Sequence, residues 1–206
     1  MSIVKLSNNG VKNATTFGSI SSLGSMVFIK KLTASSSATL SFVDGSDGVV
    51  LDGTYKEYVF TFKDIHPATD NVHFTFQGNA AGGSGYNETI TSTAFYYQHK
   101  EDGTDTELAY ESGSDQAQGT AFQRLGQSVG NDNDQCIVGS LRLFNPSSTT
   151  FVKHFIGVTN IYHTSDYSVG LRTAGYFNTT SAIDEIQFKM SSGDIDAGDI
   201  CLYGIA

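Results

Sequence analysis

The stretch IDEIQFKMSSGDIDAGDICLYGIA, residues 183–206, shows how the chain is built. In its first half, Ile186, Phe188 and Met190 alternate with polar residues. This period of two is typical of a β-strand that buries one face. An acidic, glycine-containing turn follows, and a second apolar run ends the stretch. The stretch therefore predicts antiparallel β-structure, with one strand on each side of the turn.

The composition extends this prediction to the whole chain. The 206 residues include 14 Phe, 10 Tyr and 22 Gly, but only two Pro and no Trp. Aromatic residues favour strands, and Gly, Asn, Asp and Ser form the turns between them. Roughly ten strand-like runs occur, with no helical periodicity and no internal repeat of fixed period. We predict an all-β protein, an antiparallel two-sheet β-sandwich that is jelly-roll-like, rather than a propeller or a solenoid.

The strand-like runs begin at Met26, and the segment before them differs in character. Residues 1–25 are rich in Ser, Asn and Gly and hold few side chains that would build a core. We expect an N-terminal arm over residues 1–25 and a single β-sandwich over residues 26–206. Arms of this kind order against a neighbouring subunit or a larger assembly, or they stay disordered, and the sequence leaves both alternatives open.

Two aromatic runs, residues 58–62 and 72–76, alternate most clearly. They predict a pair of strands in which Phe60 and Phe74 face the interior. Pro67 lies in the connection between them. Because proline has no backbone N–H, we expect it to block ladder pairing there.

Residues 111–134 hold few apolar side chains for their length. They predict an exposed excursion without regular structure. Long connections of this kind are usually functional or mobile, so we expect a binding surface or a subunit contact in this segment.

No arrangement of residues indicates an enzyme. The chain has neither a G-x-S-x-G elbow nor a phosphate-binding glycine loop, and its carboxylates concentrate in turns, where they stabilise local backbone geometry. None of the five histidines stands in a metal-ligand or nucleophile motif. These are His66, His73, His99, His154 and His163. We predict no catalytic, cofactor-binding or metal-ligating residue and no cofactor.

Acidic loops offer calcium binding as an alternative to solvated turns. Asp194, Asp196 and Asp199 form the best candidate group, but the spacing lacks the glycine and distal glutamate of a calcium-binding loop. Solvated turns are the favoured interpretation. Cys136 and Cys201 both fall in predicted strands and are expected to be free thiols. A disulfide between them would require neighbouring strands and an oxidising compartment.

The charge pattern disfavours nucleic acid and membrane as partners. The formal net charge is −9, and Lys30-Lys31 is the only basic cluster, whereas phosphate binding needs a surplus of Lys and Arg on one face. No apolar run reaches the roughly 18 residues that a membrane helix needs. The first residues lack the apolar stretch of a secretion signal, so we expect synthesis in a cytoplasm.

Four segments carry a resemblance to a known family. They are KEYVFTF (56–62), IHPATDN (65–71), PSSTT (146–150) and ICLYGI (200–205). In these segments, and over most of residues 20–206, the chain resembles structural proteins of marine tailed bacteriophages, such as those that infect cyanobacteria. The resemblance implies a non-enzymatic virion protein, made in the host bacterial cytoplasm. It would be a tail or fibre appendage or a capsid decoration component that contributes to host attachment.

The expected partners follow from this resemblance and from the low charge density. Only 16% of residues are charged, and such a surface packs against subunits without burying unpaired charge. We expect a homo-oligomer, with a trimer as the leading possibility, other virion proteins as partners, and a host-surface glycan as a further one. The alternative is a carbohydrate-binding β-sandwich module with an aromatic platform. The candidate platform residues are Tyr96, Tyr97, Tyr162, Tyr167 and Tyr176.

Overall fold

The computed structural model describes residues 25–206, which form 13 β-strands and no helix. The predicted arm, residues 1–25, lies outside the described residues except for Ser25. The strands are β1 (Met26–Thr33), β2 (Leu40–Val43), β3 (Glu57–Pro67), β4 (Val72–Ala80), β5 (Ile90–Lys100), β6 (Thr106–Tyr110), β7 (Ala117–Gly119), β8 (Gln123–Val129), β9 (Ile137–Phe144), β10 (Lys153–His163), β11 (Tyr167–Phe177), β12 (Ile183–Met190) and β13 (Ile195–Ile205). No helix in this part of the chain has the length and apolarity needed to span a membrane.

Eight strands build two four-stranded antiparallel sheets. The first has the order β1-β13-β3-β9, and the second has the order β2-β12-β4-β8. In each sheet, strands from the first part of the chain (β1 and β3, or β2 and β4) alternate with strands from later parts (β13 and β9, or β12 and β8). This is the double Greek-key arrangement of a jelly roll. The prediction of an antiparallel, jelly-roll-like sandwich is therefore confirmed.

The other five strands enlarge only one of the two sheets. Strands β10, β11 and β5 continue the first sheet beyond β9, and β6 and β7 both pair with β5 at its far edge. We call this the extended sheet and the other the small sheet. A single pair, His163 with Val129, joins β10 to β8 and connects the two sheets at one corner.

The core lies between the two sheets and is dominated by phenylalanine. The Phe188 ring of the small sheet lies 5.3 Å from the Phe60 ring and 5.4 Å from the Phe62 ring of the extended sheet, both edge to face. Phe60 and Phe74 are fully buried, as predicted. Edge-to-face contacts add to the free energy gained from burying these rings.

The two aromatic runs 58–62 and 72–76 do not pair with each other, so that prediction is wrong. They lie in β3 and β4, which belong to opposite sheets. Their side chains meet across the core instead, with the Phe62 and Phe74 rings 5.1 Å apart. Alternation predicts that both strands bury one face, but it carries no information on hydrogen-bond partners.

The strands of residues 183–206 separate in the same way. Strand β12 pairs with β2 and β4, whereas β13 pairs with β1 and β3. The turn between them crosses from one sheet to the other. This crossing makes the stretch decisive for the fold, because each of its strands occupies the middle of a jelly-roll sheet.

Pro67 lies inside β3, opposite Ile195 of β13, so the expectation that it blocks pairing is wrong. The β3–β13 ladder is irregular there, with shifts in register on both sides of Ala197. Asp64 in the same part of β3 has a positive φ of 50°. Bulges interrupt the regular ladder in this way, and β3 ends at Pro67, which has no N–H to donate.

Residues 111–134 are not an irregular excursion, since they contain β7 and β8. Strand β8 is part of the jelly roll, and its Leu125 and Val129 are buried. Gln123 is buried too, donating to the Ser114 carbonyl at 2.6 Å and accepting from the Ser92 hydroxyl at 2.6 Å. The strand escaped prediction because a hydrogen-bonded glutamine replaces an apolar residue at a buried position.

Candidate functional site

The outer faces of the two sheets are the surfaces that a partner or ligand can reach. On the extended sheet, one row of directly opposed residues crosses seven strands on the face turned away from the core. The row is Phe28, Tyr203, Val59, Arg142, Ile156, Ala174 and Thr93. We call the side of the extended sheet that carries this row the open face.

The open face holds most of the exposed apolar side chains. In residues 25–206, ten large apolar side chains are strongly exposed, and the strand registers place eight of them on this face. The eight are Met26, Phe28, Phe95, Tyr97, Leu108, Tyr110, Val138 and Ile156. Leu108 is 72% exposed and Tyr110 is 58% exposed. Soluble proteins rarely leave so many apolar groups on one surface unless it binds something.

The open face is not flat, because it contains two shallow apolar clefts. One, of about 500 Å³, lies between β5, β11 and β10 and is lined by Thr93, His154, Ile156 and Tyr176 among others. The other, of about 270 Å³, adjoins it and includes Phe95. Clefts of this kind accept protruding side chains of a partner better than a flat sheet does.

The outer face of the small sheet is covered by the chain itself. Residues 111–122, which we call the roof segment, fold back over β4, β8 and β12. Gln77 of β4 is fully buried beneath it and donates to the carbonyls of Ala121 at 3.0 Å and Glu88 at 3.0 Å. Thr75 on the same strand is 4% exposed. Gln77 therefore fastens the end of the roof segment to β4.

Between the roof segment and the small sheet lies a cleft of about 360 Å³. Its floor is a row across three strands, in which Thr75 of β4 lies opposite Lys189 of β12 on one side and Arg124 of β8 on the other. The Lys189 ammonium lies 4.1 Å from the centre of the Phe122 ring. Asp115 of the roof segment also lines the cleft. We call it the roof cleft.

His73 lines the same cleft as a neutral hydrogen-bond donor. Its Nδ1 accepts a hydrogen bond from the Ser128 N–H at 3.2 Å, so the ring proton belongs on Nε2. Burial lowers the pKa of His73 below its ordinary value, and the nearby Arg124 guanidinium lowers it further, although Glu111 acts in the opposite direction. A protonated ring would face desolvation and a neighbouring cation.

A second cleft, of about 430 Å³, contains Asp64, His66, Cys136 and Asp196. The His66 Nδ1 lies 3.6 Å from an Asp196 oxygen, and its Nε2 is 3.2 Å from the Asp132 carbonyl oxygen. Within residues 25–206 no three His, Cys, Asp or Glu side chains are grouped to hold a metal ion.

The calcium candidates do not come together in one loop. Asp199 accepts hydrogen bonds from Thr33 and Lys31 of β1, which lowers its pKa. Asp196 accepts from the Ser36 hydroxyl at 3.3 Å. Asp196 and Asp199 both lie in β13, and their carboxylates bind side chains of β1 and of the segment that follows it.

The five candidate tyrosines do not form one platform. Tyr96 and Tyr97 are adjacent in β5 and point to opposite faces of the sheet. Tyr97, Tyr162 and Tyr176 lie on the open face, whereas Tyr96 and Tyr167 lie on the inner side, where they pack against the core. The alternation of side chains along a strand already places Tyr96 and Tyr97 on opposite faces. The faces of Tyr162, Tyr167 and Tyr176 follow only from the strand registers.

Carboxylates engage several of these hydroxyl groups. The Tyr96 hydroxyl donates to Glu107 at 2.5 Å, and this bond raises the pKa of Tyr96 to about 12. The neighbouring Glu101 carboxylate likewise raises the pKa of Tyr162 to about 12. A hydroxyl already bound to a carboxylate is less available to a sugar.

Both cysteines are free, as expected. Cys201 is buried in β13, and Cys136 is half-buried immediately before β9. Burial raises the pKa of the Cys136 thiol, and Asp64 and Asp134 raise it further. The environment of Cys136 therefore does not favour the reactive thiolate.

Sequence reasoning missed one buried cation, because lysine is normally exposed. Lys153 at the start of β10 is fully buried, and its ammonium donates to the carbonyls of Phe151 at 3.0 Å and Thr179 at 3.2 Å. Burial lowers its pKa. Lys153 joins two loops at one end of the extended sheet, which is a structural role.

Comparison with known proteins found no matching family model, no matching curated protein and no matching solved structure. Function must therefore be inferred from the geometry of the open face and the roof cleft.

Proposed function

We propose that this chain is a non-enzymatic structural protein of a tailed-phage virion, which assembles into a homo-oligomer through its open face. Its place would be a tail or fibre appendage or a capsid decoration. The observation that supports assembly is the concentration of eight exposed large apolar side chains on one sheet face. Burying such a face against another subunit removes it from water, which is the main driving force for association.

The architecture agrees with this proposal. Jelly rolls form viral capsid domains as well as lectins and cupins. Fold alone does not define function, but the four quoted segments add a resemblance to phage structural proteins. A trimer is the leading expectation for the assembly, with other virion proteins as further partners.

The open face carries two exposed arginines, Arg142 and Arg172, that a partner would have to accommodate. Arg142, at its centre, forms an ion pair with Glu57 of the neighbouring strand. A guanidinium that already has a carboxylate partner enters an interface without being left unpaired, which keeps the desolvation cost low. Arg172, opposite Phe95 on the same face, is exposed and forms no ion pair within residues 25–206, so a partner would have to place a carboxylate against it or leave it at the rim of the interface.

Light scattering on a matched pair of variants tests the assembly. Leu108 and Phe151 are 72% and 68% exposed, but only Leu108 lies on the open face, because Phe151 is in the loop before β10. We expect the unaltered chain to be multimeric, Leu108→Arg to dissociate it, and Phe151→Arg to leave it intact. A monomeric unaltered chain, or a multimer that withstands both Leu108→Arg and Ile156→Arg, contradicts the proposed interface.

Mass spectrometry of purified phage particles tests the virion assignment separately. We expect the chain among the particle proteins in a fixed ratio to the capsid subunit. Its absence from particles whose genome encodes it would refute the virion role, whatever the oligomeric state of the isolated protein.

Removal of residues 1–25 tests the arm. We expect the remaining chain to keep the thermal unfolding of the sandwich, while it forms a smaller assembly or no longer enters particles. A truncated chain that still assembles and still enters particles would show that the arm has no anchoring role.

A further inference from the structure

The roof cleft carries a second role, one that does not depend on assembly. We infer that it binds a monoanionic, hydroxylated ligand, an acidic sugar that bears one carboxylate. The two cations of its floor, Lys189 and Arg124, flank Thr75 in a single cross-strand row. Adjacent strands lie about 5 Å apart, so the two cations start from backbone positions about 10 Å apart. An anion placed over Thr75 lies between them.

Neither cation forms an ion pair within residues 25–206, although the Glu111 carboxylate and the Arg124 guanidinium both lie beside Gly113, so Glu111 offsets part of the Arg124 charge. In the described part of the chain, the ion pairs involve Lys30, Lys31, His66, Lys100 and Arg142, and they leave out Arg124 and Lys189. The Lys189 ammonium rests against the Phe122 ring instead. In a chain of net charge −9, a cleft in which Lys189 has no carboxylate within ion-pair distance can receive one external negative charge.

The carboxylates near the cleft are already engaged. Asp115 accepts from the Tyr110 hydroxyl at 2.5 Å, and Glu111 accepts from the Gly113 N–H at 2.9 Å. They limit the positive charge that the cleft presents. A single carboxylate therefore matches it better than a dianionic phosphate would. Carboxylate oxygens such as those of Asp115 also bind sugar hydroxyl groups, since each has spare acceptor capacity.

The remaining lining suits a sugar ring. The neutral His73 presents an Nε2–H donor, and the roof segment contributes Ser114 and Gln116. The volume of about 360 Å³ is at the small end of ligand clefts, which hold compact molecules. Because the roof segment is held by the buried Gln77 and Gln123, the cleft exists before a ligand arrives.

Amide NMR titration of the full chain with D-glucuronate tests this inference, with D-glucose, acetate and inorganic phosphate as comparisons. We expect saturable shifts at Phe122, Arg124 and Lys189 with glucuronate and none with glucose. A short oligouronide is titrated as well. If the natural ligand is a polysaccharide, the oligouronide should bind more tightly than the free monosaccharide. Arg124→Gln and Lys189→Gln should each weaken binding about tenfold. Lys63→Gln, which removes an exposed lysine of β3, should not.

Several results would overturn the inference. Equal shifts with glucose would show that the charge of the ligand has no role. Equal affinity for acetate would show that the sugar ring has no role, and tighter binding of phosphate would show that the cleft does not prefer a carboxylate. If neither glucuronate nor the oligouronide shifts the cleft resonances up to its solubility limit, the roof cleft is not a binding site for acidic sugars. Since Arg124 is half-buried, the spectrum of each variant must match the parent fold, and Lys189→Gln provides the second, independent test. Every measurement uses the isolated protein, so the outcome is separate from the virion proposal.

Discussion

The two outer faces of this jelly roll differ in what covers them. On the small sheet, the roof segment lies over a polar surface. Gln77 is completely buried there, and its amide donates hydrogen bonds to two backbone carbonyls. On the extended sheet, the outer surface is apolar, yet Leu108 and Tyr110 are more than half exposed. The covered face is the polar one because its hydrogen-bonding groups find partners in the same chain. The apolar face finds no such cover in the described residues, which is why we assign it to a partner.

We expect the largest change in the free energy of unfolding from substitutions on the inner faces, because both sheets bury phenylalanine there. Phe60→Ala in the extended sheet and Phe74→Ala in the small sheet should each lower the free energy of unfolding by about 3–5 kcal/mol, because each leaves a cavity among packed rings. Urea denaturation followed by circular dichroism measures this. Losses below about 1 kcal/mol at both sites would show that the sheets do not share one core.

Gln77→Ala tests whether the covered face depends on its polar contacts. The change leaves the carbonyls of Glu88 and Ala121 and the Gly78 N–H without their partner. We expect a loss of about 1–3 kcal/mol in the free energy of unfolding. Gln98→Ala, at a half-buried glutamine of β5, is the control and should cost less. Equal costs would mean that the roof segment is not held by this side chain.

The third expectation is that the free energy of unfolding depends on pH, because two histidines are half-buried in the folded chain. Burial lowers the pKa of His73 and of His163 below the ordinary 6.5. The unfolded chain therefore takes up protons near pH 6.5 while the folded chain resists them. Stability is then full above pH 6.5 and falls as the pH drops through the folded pKa values.

Thermal unfolding between pH 7.5 and pH 5 in matched buffers measures this dependence. His73→Gln should flatten it, whereas His99→Gln, at an exposed position of β5, should leave it unchanged. Asp184 acts in the opposite direction, because burial raises its pKa. A stability that rises steadily toward pH 5 would show that this carboxyl outweighs the histidines.

The smallest expected effect is on the open face. Leu108→Ser should change the free energy of unfolding of the dilute, dissociated chain by no more than about 0.5 kcal/mol, because an exposed side chain loses little by truncation. The same change should weaken the assembly. A loss above about 2 kcal/mol in the dissociated chain would mean that Leu108 packs within its own subunit, and the comparison between the faces would fail.

Local patterns in the sequence were sufficient to predict the class of fold. Alternation in segments such as residues 58–62 and 183–190 depends only on neighbours in the chain, and it predicted the strands and the burial of Phe60 and Phe74 correctly. The free cysteines followed from the same local patterns. Strand β8 was missed because its buried Gln123 breaks the apolar pattern.

The pairing of the strands and the covering of the sheet faces depend on contacts between distant segments, which no local pattern predicts. Runs 58–62 and 72–76 look alike in sequence, but their partners are distant segments, and pairing over long separations leaves no local signature. The row of Lys189, Thr75 and Arg124 likewise joins three separate strands. Register brings such side chains together, and register is set by the packing of the whole sandwich rather than by any one segment.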